Sequence, residues 1–317
     1  MTSESLKKPN ISDTKSWFGR LRKDLIKHKY IYFMAIPVLA YYVIFHYMPM
    51  YGNVMAFQDF RAGLGIGGSR WVGFQHFRDF FQSFFFWRLI RNTLLINVYS
   101  LIFAFPAPII FAILLNEIRL KKFKRTVQTV SYLPHFVSVV IISGLIVNFT
   151  GTDGLINNII EMFGGERSNL LARPELFRTI FISSNIWTGL GWSSIVYLGA
   201  LTTIDPTLYE AATIDGAGRF RRIWHITLPG IQPTIVILLI FTIGNMLSVG
   251  WERILLMYNP IIFETADVIS TYVFRRGVQQ SDFSFATAIG LFNSVVNFAL
   301  LIVANTVIRK LNETSLW

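Results

Sequence analysis

The sequence has no cysteine, so disulfides, thiolate nucleophiles and cysteine metal sites are excluded. Charge is sparse: 15% of residues are Asp, Glu, Lys or Arg, against about a quarter in soluble domains. The chain is instead 53% hydrophobic, with mean hydropathy +0.48 over 317 residues, which points to a polytopic membrane protein rather than a soluble one with a large core. No G-x-x-x-x-G-K-[ST] loop occurs, so the chain does not cradle nucleotide phosphates that way. His28, His46, His76, His135 and His225 are scattered without partners at ligand spacing, so no metal site is expected. No G-x-S-x-G elbow supports a serine nucleophile, and the apolar runs hold amides, hydroxyls and glycines rather than catalytic pairs. No catalytic residue is assigned. No A-x-A-type site follows the first apolar run, so a cleavable signal peptide is not expected. What remains is a conduit, driven by a partner or by an ion gradient.

Six apolar runs are long enough to cross about 30 Å of hydrocarbon: residues 30–48, 92–116, 127–149, 179–201, 234–256 and 285–308. They divide the chain into a basic N-terminal segment (1–29), a six-helix transmembrane domain (30–308) and a tail (309–317). Pro106 and Pro108 should kink the second span. Residues 17–29 fit a basic amphipathic helix on the lipid surface, and Trp71 to Trp87 suits a helix in the interface plane. All ten lysines fall in 1–29, 117–126 and 309–317, and with 202–230 those segments carry 18 of the 29 basic residues. By the positive-inside rule both termini and the loop over 202–230 are cytoplasmic. The net charge of +11 is thereby explained by cytoplasmic loops, with no nucleic-acid partner needed. The remaining eleven basic residues are all arginines on outer or boundary segments, where they suit an anionic glycan or a docking protein equally.

The polar stretch Asp205 to Pro229, DPTLYEAATIDGAGRFRRIWHITLP, reads as helix, glycine turn, helix and stop. Asp205 is an N-cap with Pro206 at the first helical position, and Gly216 and Gly218 break the helix. Glu210, Ala211, Ala212, Gly216, Ile226, Leu228 and Pro229 follow E-A-A-x3-G-x9-I-x-L-P without a mismatch. This resembles the cytoplasmic coupling loop of permease subunits in binding-protein-dependent ABC importers. The likeness runs over nearly the whole chain and is nearest the carbohydrate-uptake permeases. Trp71-Val-Gly-Phe-Gln-His-Phe77 is similar to their extracytoplasmic loop. Asp267-Val-Ile-Ser-Thr-Tyr-Val-Phe-Arg-Arg-Gly277, Asp282-Phe-Ser-Phe-Ala-Thr-Ala-Ile-Gly-Leu-Phe-Asn-Ser294 and the final Ser315-Leu-Trp317 resemble oligo- and polysaccharide permeases, alginate-type ones included.

The resemblance implies an all-α type I importer fold in the bacterial inner membrane. Its partners would be a second homologous permease subunit, two ATPase subunits and an extracytoplasmic solute-binding protein. ATP and magnesium would be bound by the ATPases, with no cofactor in this chain. Glu210, Ala211, Ala212, Asp215, Gly216, Leu228 and Pro229 would couple to the ATPase. Amides, hydroxyls and aromatic rings suit a sugar path, which marks Trp187, Gly189, Gly191 and Trp192 in the fourth span, Thr242, Asn245 and Ser248 in the fifth, and Asn293 and Asn297 in the sixth. Small residues and amides also serve helix packing, so each of these has a second reading. Glu252 and Arg253 read first as a solvated helix end, with a gate or a local pair as the alternatives. Glycerol phosphate or a peptide are alternative solutes. An ion-coupled secondary transporter is the alternative mechanism; it predicts broken helices and a mid-span carboxylate, and no such carboxylate is present.

Overall fold

The structure is a computed structural model that describes residues 26–248 and 250–311. The N-terminal residues 1–25 and the last six fall outside it, and with them most of the expected surface helix over 17–29 and of the tail. The chain forms two units, Met1–Val54 and Met55–Trp317. In the first, helix α1 (Lys29–Tyr42) runs on through a wide turn, Val43–Tyr47, and a short helix, Met48–Met50. None of their side chains is buried, although most are apolar. A helix apolar all round is unfavourable in water and stable in lipid.

The second unit starts with a small antiparallel pair, β1 (Gln58–Asp59) and β2 (Arg70–Trp71), with Gln58 opposite Trp71. The glycine-rich stretch between them carries one short turn of helix, Gly65–Gly68. Helix α2 (Gln75–Gln82) follows and is amphipathic, with Phe80 buried. Next come α3 (Phe86–Tyr99), α4 (Pro106–Glu117), α5 (Lys121–Tyr132), α6 (Val139–Thr150) and α7 (Leu155–Met162). The long helix α8 (Pro174–Leu201) leads into α9 (Pro206–Ile214), α10 (Arg219–Arg222) and α11 (Leu228–Gly244). The chain closes with α12 (Trp251–Met257), α13 (Ile269–Phe274) and α14 (Phe283–Leu311).

Helix α8 is the hub: it packs on α4, α5, α11 and the short helix Phe263–Ala266. Its N-terminal half enters one core through Phe177, Phe181 and Ile182, and its C-terminal half enters another through Tyr197 and Leu201. In lipid such packing is held by dispersion and close approach rather than by the exclusion of water. Gly191 shows the closeness. A Cβ there would run into the backbone carbonyl of Ser131, whereas at Gly189 it would meet only Ser193 Oγ at 3.9 Å.

Two expected spans need correction, and a third is long but less apolar than the rest. Among the described residues, five helical runs are long and apolar enough to cross a membrane: Lys29–Phe57, Phe86–Glu117, Val139–Met162, Arg219–Gly244 and Phe283–Lys310. The expected fourth span is α8, which has 28 residues but is too rich in Ser, Asn and Gly to join that set. The third span starts at Val139 rather than 127, because Pro134 closes α5 through a 3-10 turn and Ser138 caps the next helix. The basic residues expected in a loop lie largely on α5, an amphipathic helix. The fifth span does not run to 256. Helix α11 stops at Gly244, Asn245–Leu247 form a turn, and α12 is a separate helix.

Prolines leave a repeated mark. Of four wide turns among the described residues, three, Val43–Tyr47, Ser100–Ala104 and Ile223–Thr227, end two residues before a proline (Pro49, Pro106 and Pro229), and the fourth, Arg275–Gln279, precedes none. In those three, the residue just before the proline donates its N–H five residues back: Met48 to Val43, Phe105 to Ser100 and Leu228 to Ile223. Proline has no N–H, and its ring collides with the carbonyl four residues back, so the turn ahead of it widens by one residue.

Candidate functional site

The hairpin over 205–229 is assembled from local rules. Asp205 Oδ1 accepts from Thr207 N–H at 2.9 Å, capping α9, and Pro206 supplies the first turn. This hydrogen bond to the ionised form holds the Asp205 carboxyl below its ordinary value. At the other end Gly216 adopts φ +76°, while Ala217 N–H reaches Ala212 O at 2.8 Å and Gly216 N–H reaches Thr213 O at 3.1 Å. That pair of bonds is the Schellman ending, which glycine accepts without strain. The two arms are then tied together. Tyr209 OH lies 3.0 Å from Thr227 Oγ1, and Arg222 donates to Thr213 Oγ1 at 3.0 Å.

Held in this way, the hairpin keeps its surface open. Glu210, Ala211, Asp215, Gly216 and Pro229 are exposed, while Ala212 and Leu228 are half-buried. Glu210 forms no ion pair among the described residues. Ile214, Phe220 and Trp224 are 87%, 89% and 70% exposed, a concentration of uncovered large apolar side chains on a hairpin whose helices carry four charged groups.

The residues marked for a sugar path divide. Trp192, Thr242, Asn245 and Ser248 line one cleft of about 610 Å³, together with Asn97 and Ser100 of the neighbouring segment. The break after Gly244 makes this cleft, since irregular backbone at bilayer depth persists only where protein or a polar cavity satisfies it. Asn245 Nδ2 donates to Phe241 O at 2.9 Å, and Thr242 Oγ1 to Leu238 O at 2.8 Å. One face of Trp192 is taken: His135 stacks on it at 4.5 Å between ring centroids, with the ring planes 3° from parallel. Asn293 lines a different cavity, with its Oδ1 buried and unpaired, and Trp187 a third. Asn297 accepts from Leu247 N–H and donates to Ser248 Oγ, both at 2.9 Å, so it fastens the broken segment to α14. Gly189 lines none of these cavities.

Two arrangements escaped the reading of the sequence. Asp267 is wholly buried and pairs with Arg275 at 2.7 Å and Arg88 at 3.3 Å, with Thr271 Oγ1 donating at 3.0 Å. Asn92 joins this cluster: its Nδ2 donates to the carbonyls of Glu264 and Asp267, and its Oδ1 accepts from Arg178. Burial alone would lower the Arg275 value, but the hydrogen bond and charge of Asp267 outweigh it and raise it. The second arrangement involves Arg253. It is not a solvated helix end; it is half-buried and donates from Nη1 to Asn185 Oδ1 on α8.

The family model described as binding-protein-dependent transport system inner membrane component matches residues 92–313. Protein LplB of Bacillus subtilis (strain 168) is 45% identical over 303 residues, covering 95% of this chain and 94% of LplB. The polygalacturonan/rhamnogalacturonan transport system permease protein YteP of the same organism is 46% identical over 299 residues, covering 94% and 93%. Among solved structures, a chain of a bacterial ABC transporter involved in the import of the acidic polysaccharide alginate aligns with TM-score 0.86 at 46% identity, covering 92% of this chain and 99% of that one. A chain of a bacterial alginate ABC transporter in complex with alginate pentasaccharide-bound periplasmic protein gives 0.87 at 45%, covering 94% and 100%.

Proposed function

From the premise that this chain belongs to the binding-protein-dependent transport system inner membrane components, we propose that it is a permease subunit importing an oligo- or polysaccharide. In this reading it forms half of the translocation path, and a second homologous permease subunit forms the other half. Two ATPase subunits bind ATP and magnesium, and an extracytoplasmic solute-binding protein delivers the glycan. The observation that carries the reading is the hairpin of α9 and α10. It is braced from within by the Asp205 cap, the Gly216 turn and the Tyr209–Thr227 bond, yet it leaves Glu210 unpaired and Ile214, Phe220 and Trp224 uncovered. A rigid apolar surface of this kind suits a groove on another protein. The small Ala211 and Ala212 permit close approach, and Leu228 and Pro229 root the hairpin in α11.

Both termini and the hairpin lie on the cytoplasmic side in this reading, since lysine is confined to that side. The domain division follows from it: a basic cytoplasmic segment over 1–29, a permease domain over 30–308 and a cytoplasmic tail over 309–317. The glycan passes the cleft lined by Trp192, Thr242, Asn245 and Ser248. The names of LplB's neighbour in similarity YteP and of the two alginate transporters support a glycan over glycerol phosphate or a peptide.

The test is purification of the tagged chain from membranes, followed by reconstitution. An ATPase and a second permease should co-purify, and uptake of an oligosaccharide should require ATP. Uptake by this chain alone, driven by an ion gradient, would overturn the reading. The absence of cysteine makes orientation directly measurable. A cysteine placed at Asp215 should be labelled from the cytoplasmic face only.

A further inference from the structure

Arg253 stands in an unusual position for a cation. It follows the broken segment on α12 and precedes Ile254, which is fully buried in the core built on the N-terminal half of α8. Its guanidinium is half-buried, and the protein gives it one neutral acceptor, Asn185 Oδ1. Among the described residues no Asp or Glu pairs with it. The other inward arginines are treated differently. Arg88 and Arg275 share Asp267, and Arg178, though its acceptor is also a neutral amide, donates to Asn92, which belongs to the same buried cluster. Removing a charge from water without a counter-ion is unfavourable, so a half-buried guanidinium with only a neutral acceptor is a place to look for a ligand of opposite charge.

The position also relates to the cleft. Asn185 and Trp192 are seven residues apart on α8, hence on one face and about 10 Å apart along the axis. Trp192 lines the cleft, and so does Ser248, five residues before Arg253. Arg253 thus lies five residues beyond the cleft lining along the chain, and its acceptor Asn185 lies about two turns from Trp192 on one face of α8. Guanidinium carries five N–H donors in a planar fork that matches a carboxylate, and only one of them is engaged by Asn185.

We propose that Arg253, oriented by Asn185, is the specificity group of this chain for the carboxylates of an acidic glycan passing to the cleft. This rests on the reading of the chain as a glycan permease. Asn185 acts as a positioning residue: it fixes one edge of the fork and leaves the other for a uronate.

The test uses the assembled importer in proteoliposomes, with oligogalacturonate and its fully methyl-esterified, uncharged counterpart as substrates. Arg253→Gln should lower uptake of the charged glycan about tenfold or more, the loss a charge-assisted hydrogen bond supplies, while uptake of the ester stays within about twofold. Asn185→Ala should lower the same ratio by a smaller factor, and Arg253→Lys should retain part of it. An equal fall for both glycans, or no fall, overturns the proposal. If the wild-type importer moves the charged glycan alone, recovery in Arg253→Lys with loss in Arg253→Gln supports the assignment, and equal loss in both overturns it. If the wild type moves neither glycan nor any other oligosaccharide, the glycan reading itself fails, an outcome distinct from failure of the Arg253 assignment.

Discussion

The hairpin over 205–229 and the cluster around Asp267 are both polar assemblies in an apolar chain, built in opposite ways. The ties of the hairpin are short in sequence, the longest shown joining Tyr209 to Thr227 across 18 residues. Those of the cluster reach from Arg88 to Asp267 across 179 and from Asn92 to Asp267 across 175. The hairpin keeps its charged and large apolar groups at the surface, whereas the cluster spends Asp267 entirely on internal partners. A polar group in such a protein is thus either consumed in fixing the fold or held back for a partner. Burial and pairing together separate the two: Asp267 is buried and paired, and Glu210 is exposed and unpaired.

The largest effect should come from the cluster. Asp267→Ala leaves Arg88 and Arg275 without their shared carboxylate, and removing one partner of a buried ion pair costs about 3–5 kcal/mol. Thermal unfolding of the purified complex should register this as a large drop or as loss of assembly; an unchanged midpoint would erase the contrast drawn above. Next in size is a pair of glycines on α8. Gly191→Ala forces the Ser131 backbone aside, an overpacking cost of about 1–3 kcal/mol, whereas Gly189→Ala has room and gains up to about 1 kcal/mol of helix stability. The same unfolding assay should move in opposite directions for the two.

On the side of the hairpin, Glu210→Ala should leave abundance and membrane insertion normal. ATP-driven uptake should fall about tenfold, within the 1–3 kcal/mol usual for coupling between sites. Loss of the protein instead would assign Glu210 to folding and dissolve the distinction. The smallest effect concerns pH. The Asp205 carboxyl lies below its ordinary value when folded, so its stabilising cap is complete above the ordinary carboxylate range. The contribution fades as pH falls through the lowered folded value. Local exchange of the amides in α9 should therefore speed up in acid, and Asp205→Asn should flatten that dependence.

What the sequence made legible follows the same division. Asp205-Pro206 and Gly216 announced the boundaries of α9, because capping and left-handed turns are decided by adjacent residues. The break after Gly244 was missed although Gly244, Asn245 and Gly250 spell a helix stop, since the apolar run continues through Leu247 and Ile254 and outweighed it. The sequence shows helix α8, but not what its polar residues do: Ser184 and Ser194 are buried and bonded to their own backbone, Asn185 accepts from Arg253, and Ser183 and Ser193 are exposed. Nothing near Asp267 in sequence predicts Arg88 or Asn92, so that cluster required the tertiary fold. Arg253 looks solvated from its place at the end of the expected fifth span, and only the approach of α8 reveals its partner.

The wide turn Ile223–Thr227 joins the hairpin to α11 and holds one residue more than an ordinary helical turn. Deleting one residue there would swing the hairpin about 100° around the helix axis and draw it in by about 1.5 Å. The heading of Glu210, Ile214 and Phe220 is thus set by a proline outside the hairpin's helices. A lineage could re-aim this surface toward a different protein by gaining or losing one codon ahead of Pro229, without altering a single residue of the surface itself.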